Sequence, residues 1–83
     1  MFANAKYIVV AMGYSEYIFP FSPSISHKDM FNMVGGEIVS AGFIDEFMQC
    51  YGSSASLNIS SREKDTILLK VLFQLQDKKI DFV

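Results

Sequence analysis

The sequence predicts an α+β fold: a small single domain in which an antiparallel sheet carries two helices packed on one face, in the order β-β-α-β-β-α. Apolar segments of strand character alternate along the chain with two helix-start signals that are each followed by helical spacing. Eighty-three residues allow one domain with a modest core. We therefore expect residues 1–83 to form a single domain.

The first two strands are predicted to form a β-hairpin. KYIVVAM, residues 6–12, is rich in β-branched and aromatic residues, a turn follows at residues 13–15, and EYIFPF, residues 16–21, resumes the pattern. Pro20 has no N–H to donate to a neighbouring strand. The second strand is therefore expected at a sheet edge, or to end near residue 19.

A short helix is predicted next. Ser26 is expected as its N-cap, and Asp29 occupies the third helical position. Gly35 and Gly36 are expected to end it. The apolar residues at helical spacing between these signals are Met30, Phe31 and Val34.

Two further strands are predicted before the last helix. Residues 36–51 alternate in two registers with Gly42 between them, which favours one long strand with a bulge or bend. A turn at residues 52–54 leads to a strand that carries Leu57 and Ile59 at a period of two. Ser60 and Glu63 then match a capping box, so a helix is expected over about residues 61–77.

The last helix has more apolar surface than one sheet contact requires. One face, expected against the sheet, contains Ile67, Leu68, Val71, Leu72 and Leu75. Leu69 and Phe73 widen the apolar arc to roughly 240°, whereas a helix on a sheet needs little more than about 100°. These two side chains are expected to contact either the first helix or a second copy of the chain.

This surplus predicts a homo-oligomer, specifically a dimer, with Leu69 and Phe73 in its interface. Lys70 would border the contact. The tail KKIDFV alternates through Ile80 and Phe82, so it is expected to be either a frayed end or a short strand or docked peptide that adds to a sheet edge, that of a partner molecule being one option.

The stretch QCYGSSASLNISS, residues 49–61, places the only cysteine, Cys50, near five serines. A nucleophile needs a base within hydrogen-bonding reach, and the only histidine is His27. GSSAS also departs from the G-x-S-x-G motif. We therefore interpret the stretch as a turn and a strand, and a hydrolase would require His27 and Cys50 to lie close together.

No cofactor or metal site is expected from the remaining motifs, and no enzymatic activity. One histidine and one cysteine are too few for a zinc site of nitrogen and sulfur ligands. Asp45 and Glu46 would point to opposite faces of a strand. Gly35-Gly36 lacks the remaining residues of a phosphate-binding or dinucleotide-binding loop.

Aromatic residues of the first hairpin are either core or, if exposed, a patch for a protein partner: Tyr14, Tyr17, Phe19 and Phe21. A nucleic-acid-binding alternative would combine exposed tyrosines with the basic residues of the last helix, which are Lys64, Lys70, Lys78 and Lys79. The net charge of −2 does not favour this alternative, because phosphate contacts need several clustered cations.

The expected function is that of a non-enzymatic protein-interaction or regulatory module. The sequence contains no apolar run of the roughly 20 residues that span a bilayer. A lone cysteine fits a reducing cytosol, so a cytoplasmic location without membrane contact is expected. The stretch GSSASLNISSREKDTILLKVL, residues 52–72, resembles small proteins encoded by phages and other mobile elements.

Overall fold

A computed structural model of the chain describes residues 4–81, with side chains as far as residue 75. The elements are β1 (Ala5–Met12), β2 (Ser15–Phe21), α1 (His27–Val34), β3 (Glu37–Ile44), β4 (Cys50–Tyr51), β5 (Ser53–Ser54), β6 (Ile59–Ser60) and α2 (Glu63–Asp81). Four of the strands form an antiparallel sheet in the order β2-β1-β3-β4, and β5 pairs with β6. The predicted α+β class is confirmed, and the order of elements agrees with β-β-α-β-β-α except that each of the two strands predicted between the helices is divided in two.

The N-terminal hairpin forms as predicted. β1 and β2 pair from Lys6 opposite Phe21 to Met12 opposite Ser15. Gly13 follows β1 with a φ of 65°, a left-handed value that favours glycine in such a tight turn. β2 is an edge strand, which is where its Pro20 was expected to place it.

The two helices cover different faces of the sheet, which corrects the prediction that both pack on one face. Tyr7 and Val9 of β1 belong to a core cluster that packs against α2, and Ile8 and Val10 belong to a second cluster that packs against α1. All four side chains are fully buried. The reason is the uninterrupted apolar run of β1, because a central strand without polar alternation needs cover on both of its faces.

Helix α1 has the predicted ends. The Ser26 hydroxyl accepts a 3.0 Å hydrogen bond from the Asp29 backbone N–H. At the other end, the Gly35 N–H donates to the carbonyl oxygen of Phe31 at 2.7 Å, and the φ of Gly35 is 74°. These caps keep α1 to eight residues.

The long strand predicted for residues 36–51 is instead divided into β3 and β4 by a turn. The Asp45 carboxylate accepts hydrogen bonds from the backbone N–H groups of Phe47 at 2.8 Å and Gln49 at 2.9 Å, which stabilises the turn. Gly42 does not mark a bulge, since the register shift lies where Val9 pairs with Ser40 and Val10 with Ile38. Gly42 is required because a Cβ there would collide with the Tyr51 carbonyl oxygen.

The segment before α2 also differs in detail from the prediction. Leu57 lies in the turn between β5 and β6, so the predicted single strand is a small hairpin. Helix α2 begins at Glu63, and the residue that reaches back to cap it is Asp65, which accepts from the Arg62 backbone N–H at 2.8 Å. The helix therefore starts about two residues later than a cap at Ser60 would place it.

Candidate interaction surface

A buried carboxylate determines how α2 is rotated on the sheet. Asp65 is fully buried and accepts hydrogen bonds from the Tyr7 hydroxyl at 2.6 Å and the Ser40 hydroxyl at 2.9 Å. The Arg62 guanidinium donates to the same carboxylate at 2.9 Å and 3.1 Å. Because Tyr7 and Ser40 belong to the two central strands, Asp65 has to face the sheet.

This rotation reverses the predicted roles of the two apolar faces of α2. Leu69 lies one turn after Asp65, is fully buried and belongs to the core, and Phe73 packs against the same cluster. Leu69 is thus unavailable to a second copy of the chain, contrary to the sequence analysis. Lys70 is exposed beside it. Of the other predicted interface residues, Phe82 and the Ile80 side chain lie outside the described residues, although the Ile80 backbone belongs to α2.

The face that α2 leaves exposed is apolar. Ile67 is 64% exposed, Val71 46% and Leu75 57%, and together these three residues are called the α2 ridge below. They are spaced four residues apart, so they follow one line along the helix. The helical spacing predicted these side chains against the sheet, whereas their exposure and the contacts of Asp65 show that they point away from it.

An open groove separates the α2 ridge from the edge strand β2. Its volume is about 480 Å³, which falls within the usual range for ligand-binding clefts. Its lining residues are Glu16, Tyr17, Ile18, Phe19 and Pro20 from β2, and Leu68, Val71, Leu72 and Leu75 from α2. The groove and the α2 ridge share Val71 and Leu75, so they form one continuous surface, called the docking surface below.

The charges at one end of the groove are paired with each other. The Glu16 carboxylate accepts a 2.9 Å hydrogen bond from Arg62, and the Lys64 ammonium lies 3.4 Å away from it. The hydrogen bond from Arg62 lowers the pKa of Glu16, with further help from the positive charge of Lys64. The docking surface therefore combines apolar walls with one ion-pair cluster, which is neutral when the buried Asp65 carboxylate that also binds Arg62 is counted.

Three comparisons find no match for this chain: one with protein-family models, one with curated proteins and one with solved structures. The interpretation of the docking surface consequently rests on its own geometry. Over residues 4–81, no helix is long and apolar enough to cross a membrane.

The predicted aromatic patch on the first hairpin is divided between several environments. Phe21 belongs to the core and packs edge-on against His27, with ring centroids 5.6 Å apart. Tyr14 projects fully into solvent from the turn after β1. Tyr17 is half exposed and Phe19 is half buried, and these two line the groove. Part of the predicted patch thus belongs to the docking surface.

His27 and Cys50 do not form a catalytic pair. The His27 Nε2–H donates to the Gly42 carbonyl oxygen at 2.8 Å, and its ring packs between Phe21 and Phe43 on the α1 side of the sheet. Cys50 packs against the core cluster on the α2 side. Burial raises the pKa of the Cys50 thiol to about 11, so little thiolate forms at neutral pH.

Proposed function

We propose that this chain is a non-enzymatic protein-interaction module that self-associates through the docking surface. The observation that carries the proposal is the exposure of the α2 ridge directly beside an open apolar groove. Contiguous apolar surface of this kind is costly to leave in water and is typical of protein-binding sites. Leu69 and Phe73 contribute indirectly, because their packing against the core holds α2 in the orientation that exposes the α2 ridge.

The nucleic-acid alternative receives less support from the same surface. Lys64 and Arg62 are already paired with Glu16, which removes two of the cations that phosphate groups would need. Lys70 is exposed, and the side chains of Lys78 and Lys79 lie outside the described residues. The groove itself has mostly apolar lining residues, which suits a protein partner better than a phosphate backbone.

The test is light scattering coupled to size exclusion over a range of protein concentrations. We expect the parent chain to be a dimer and Val71→Glu to be a monomer with an unchanged circular dichroism spectrum, because the new charge would be buried only in the dimer. Lys70→Glu is the matched control, since it introduces the same side chain at the neighbouring exposed position. It should remain a dimer.

A second control separates the interface from the core. Leu69→Glu places a charge in the fully buried core and should unfold the chain rather than dissociate it. A parent chain that is monomeric at all concentrations would refute self-association. A Val71→Glu chain that remains a dimer would remove the docking surface from the interface.

A further inference from the structure

We infer that His27 is an acid-operated latch that holds α1 on the sheet, so that protonation of its imidazole releases α1 while α2 stays in place. The latch would convert a fall in pH into partial exposure of the apolar sheet face that α1 covers. It is independent of the proposed self-association, because it concerns α1, whereas the docking surface is built from α2 and β2.

His27 is the residue that attaches α1 most firmly to the sheet. It is the only buried residue among the eight of α1. Its ring packs between Phe21 of β2 and Phe43 of β3, with centroids 5.6 Å and 5.4 Å away. The His27 Nε2–H also donates to the Gly42 carbonyl oxygen of β3 at 2.8 Å. Both kinds of contact require the imidazole to stay in its site between the strands.

The surroundings of His27 oppose a positive charge on the imidazole. His27 is the first residue of α1, where the helix dipole has its positive end. From β1, the Lys6 ammonium donates to the Ile25 carbonyl oxygen at 3.0 Å, two residues before His27. Lys28 and Asp29, its charged neighbours on α1, are exposed, and β2 and β3 contribute two phenyl rings and a carbonyl oxygen, which do not titrate.

Protonation therefore favours the state in which α1 has left the sheet. Burial and the charge of Lys6 lower the pKa of His27 in the closed state, against the opposing effect of its hydrogen bond to Gly42. A released imidazole regains the ordinary pKa of 6.5. The open state consequently binds the proton more readily, and its population rises as the pH falls below 6.5.

Release of α1 can remain local. An eight-residue helix is too short to be stable by itself in water, so α1 unfolds once it is detached. Gly35 and Gly36, with φ values of 74° and 83°, join it to β3. The cluster beneath α1, which includes Ile8 and Val10, keeps the cover of Ile59 from the β5–β6 hairpin. The hydrogen bonds that hold α2 lie on the other face and involve no residue of α1.

Native-state hydrogen exchange, followed by NMR on the full chain at about pH 7.5 and about pH 5, tests the latch. The reporters are the N–H groups of Met30 and Gly35, which donate to carbonyl oxygens at the two ends of α1. The N–H of Leu69 in α2 is the reference. After correction for the intrinsic exchange rate, the reporters should be less protected than Leu69 and insensitive to low concentrations of urea, because a local opening exposes little surface.

Acid should lower the protection of the two reporters. Linkage limits the fall to about 30-fold at about pH 5, for a group of ordinary pKa 6.5 whose proton binds only in the open state. His27→Gln retains an N–H donor and should abolish this pH dependence. The imidazole signal can also be followed directly, because His27 is the only histidine.

Two lysine variants separate the latch from a purely structural role of His27. Lys6→Gln keeps the imidazole and removes the positive charge that faces it, so it should raise the midpoint of the imidazole titration. Lys28→Gln is the matched control, since it removes the same charge from an exposed position next to His27. It should shift the midpoint less.

Several results would overturn the latch. Reporters that match Leu69 in protection and in urea dependence would show that α1 leaves only when the whole chain unfolds. Acid dependence that persists in His27→Gln would assign the effect to another group. If His27→Gln does not fold, the parent and the lysine variants still decide. An imidazole that titrates at or above pH 6.5 in the folded parent, or equal midpoints in Lys6→Gln and Lys28→Gln, would show that the closed site does not oppose the proton.

Discussion

The Tyr7 hydroxyl donates a 2.6 Å hydrogen bond to Oδ2 of Asp65 and so ties the central strand β1 to the first turn of α2. The second carboxylate oxygen accepts from the Ser40 hydroxyl and from Arg62. In the described part of the chain, no buried side-chain nitrogen or oxygen is left without a hydrogen-bonding partner. A fully satisfied buried network of this kind specifies one arrangement of its elements, because any other leaves a carboxylate unpaired.

Asp65→Asn is expected to destabilise the chain by about 3 kcal/mol, because the amide nitrogen would replace an acceptor that faces several donors. Urea denaturation followed by circular dichroism measures the change. Glu63→Gln is the matched control, since Glu63 lies in the same helical turn and is exposed. If Asp65→Asn lowers the free energy of unfolding no more than Glu63→Gln does, the hydrogen-bond network of Asp65 does not hold α2 in place.

Tyr7 is expected to keep its phenolic proton as long as the chain is folded. Burial raises its pKa above the ordinary value of 10.0, and the hydrogen bond to Asp65 raises it further. The folded state thus holds the phenolic proton more tightly than the unfolded state, so this stabilisation is present below pH 10.0 and is lost as the pH rises above it.

Absorbance titration of the phenolate checks this expectation. The phenolate of Tyr7 should appear only together with unfolding. Tyr7→Phe should lack the phenolate signal that accompanies unfolding of the parent at that position. A difference between the parent and Tyr7→Phe titrations that appears before any loss of circular dichroism would contradict the prediction.

His27 is expected to make the fold sensitive to mild acid. Burial lowers its pKa from the ordinary value of 6.5, and the charge of Lys6 lowers it further, while the hydrogen bond to Gly42 opposes the shift. The unfolded state then binds the proton more readily. The contribution to stability is complete above pH 6.5 and declines as the pH falls below it towards the folded-state pKa.

The free energy of unfolding measured at about pH 7.5 and about pH 5 tests this sensitivity. His27→Gln removes the titrating group and retains an N–H donor for the Gly42 carbonyl oxygen, so its pH dependence should be weaker than that of the parent. Equal pH dependence in both chains would assign the acid sensitivity to other groups.

Cys50 is expected to react slowly with alkylating reagents. A rise in the thiol pKa from 9.0 to about 11 reduces the thiolate fraction, and hence the reaction rate, by roughly 100-fold at about pH 8. The reference is the same chain in concentrated guanidinium chloride, where the thiol is exposed. If the folded chain reacts as fast as the chain in guanidinium chloride, Cys50 is accessible to the reagent and burial does not raise the pKa of its thiol.

Local patterns were sufficient for much of the fold. The first hairpin, both ends of α1 and the edge position of Pro20 depend on residues close together in sequence, so the prediction and the structure agree on them. The division of residues 36–51 was missed because Asp45 fits both a strand end and a turn. The two-faced burial of β1 had a signal, the unbroken run Tyr7-Ile8-Val9-Val10, which favours cover on both faces.

The sequence by itself determined the α+β class, the order of its elements and an excess of apolar surface on α2. Only the tertiary structure decided which apolar side of α2 is buried against the sheet and which is exposed to solvent. Leu69 and Val71 are equally apolar, so periodicity alone could not distinguish the buried side from the exposed one. The distinction comes from Asp65, whose partners Tyr7 and Ser40 are distant in sequence and meet it only when the sheet has formed. A buried carboxylate must reach those donors, and that requirement rotates the helix and exposes the α2 ridge.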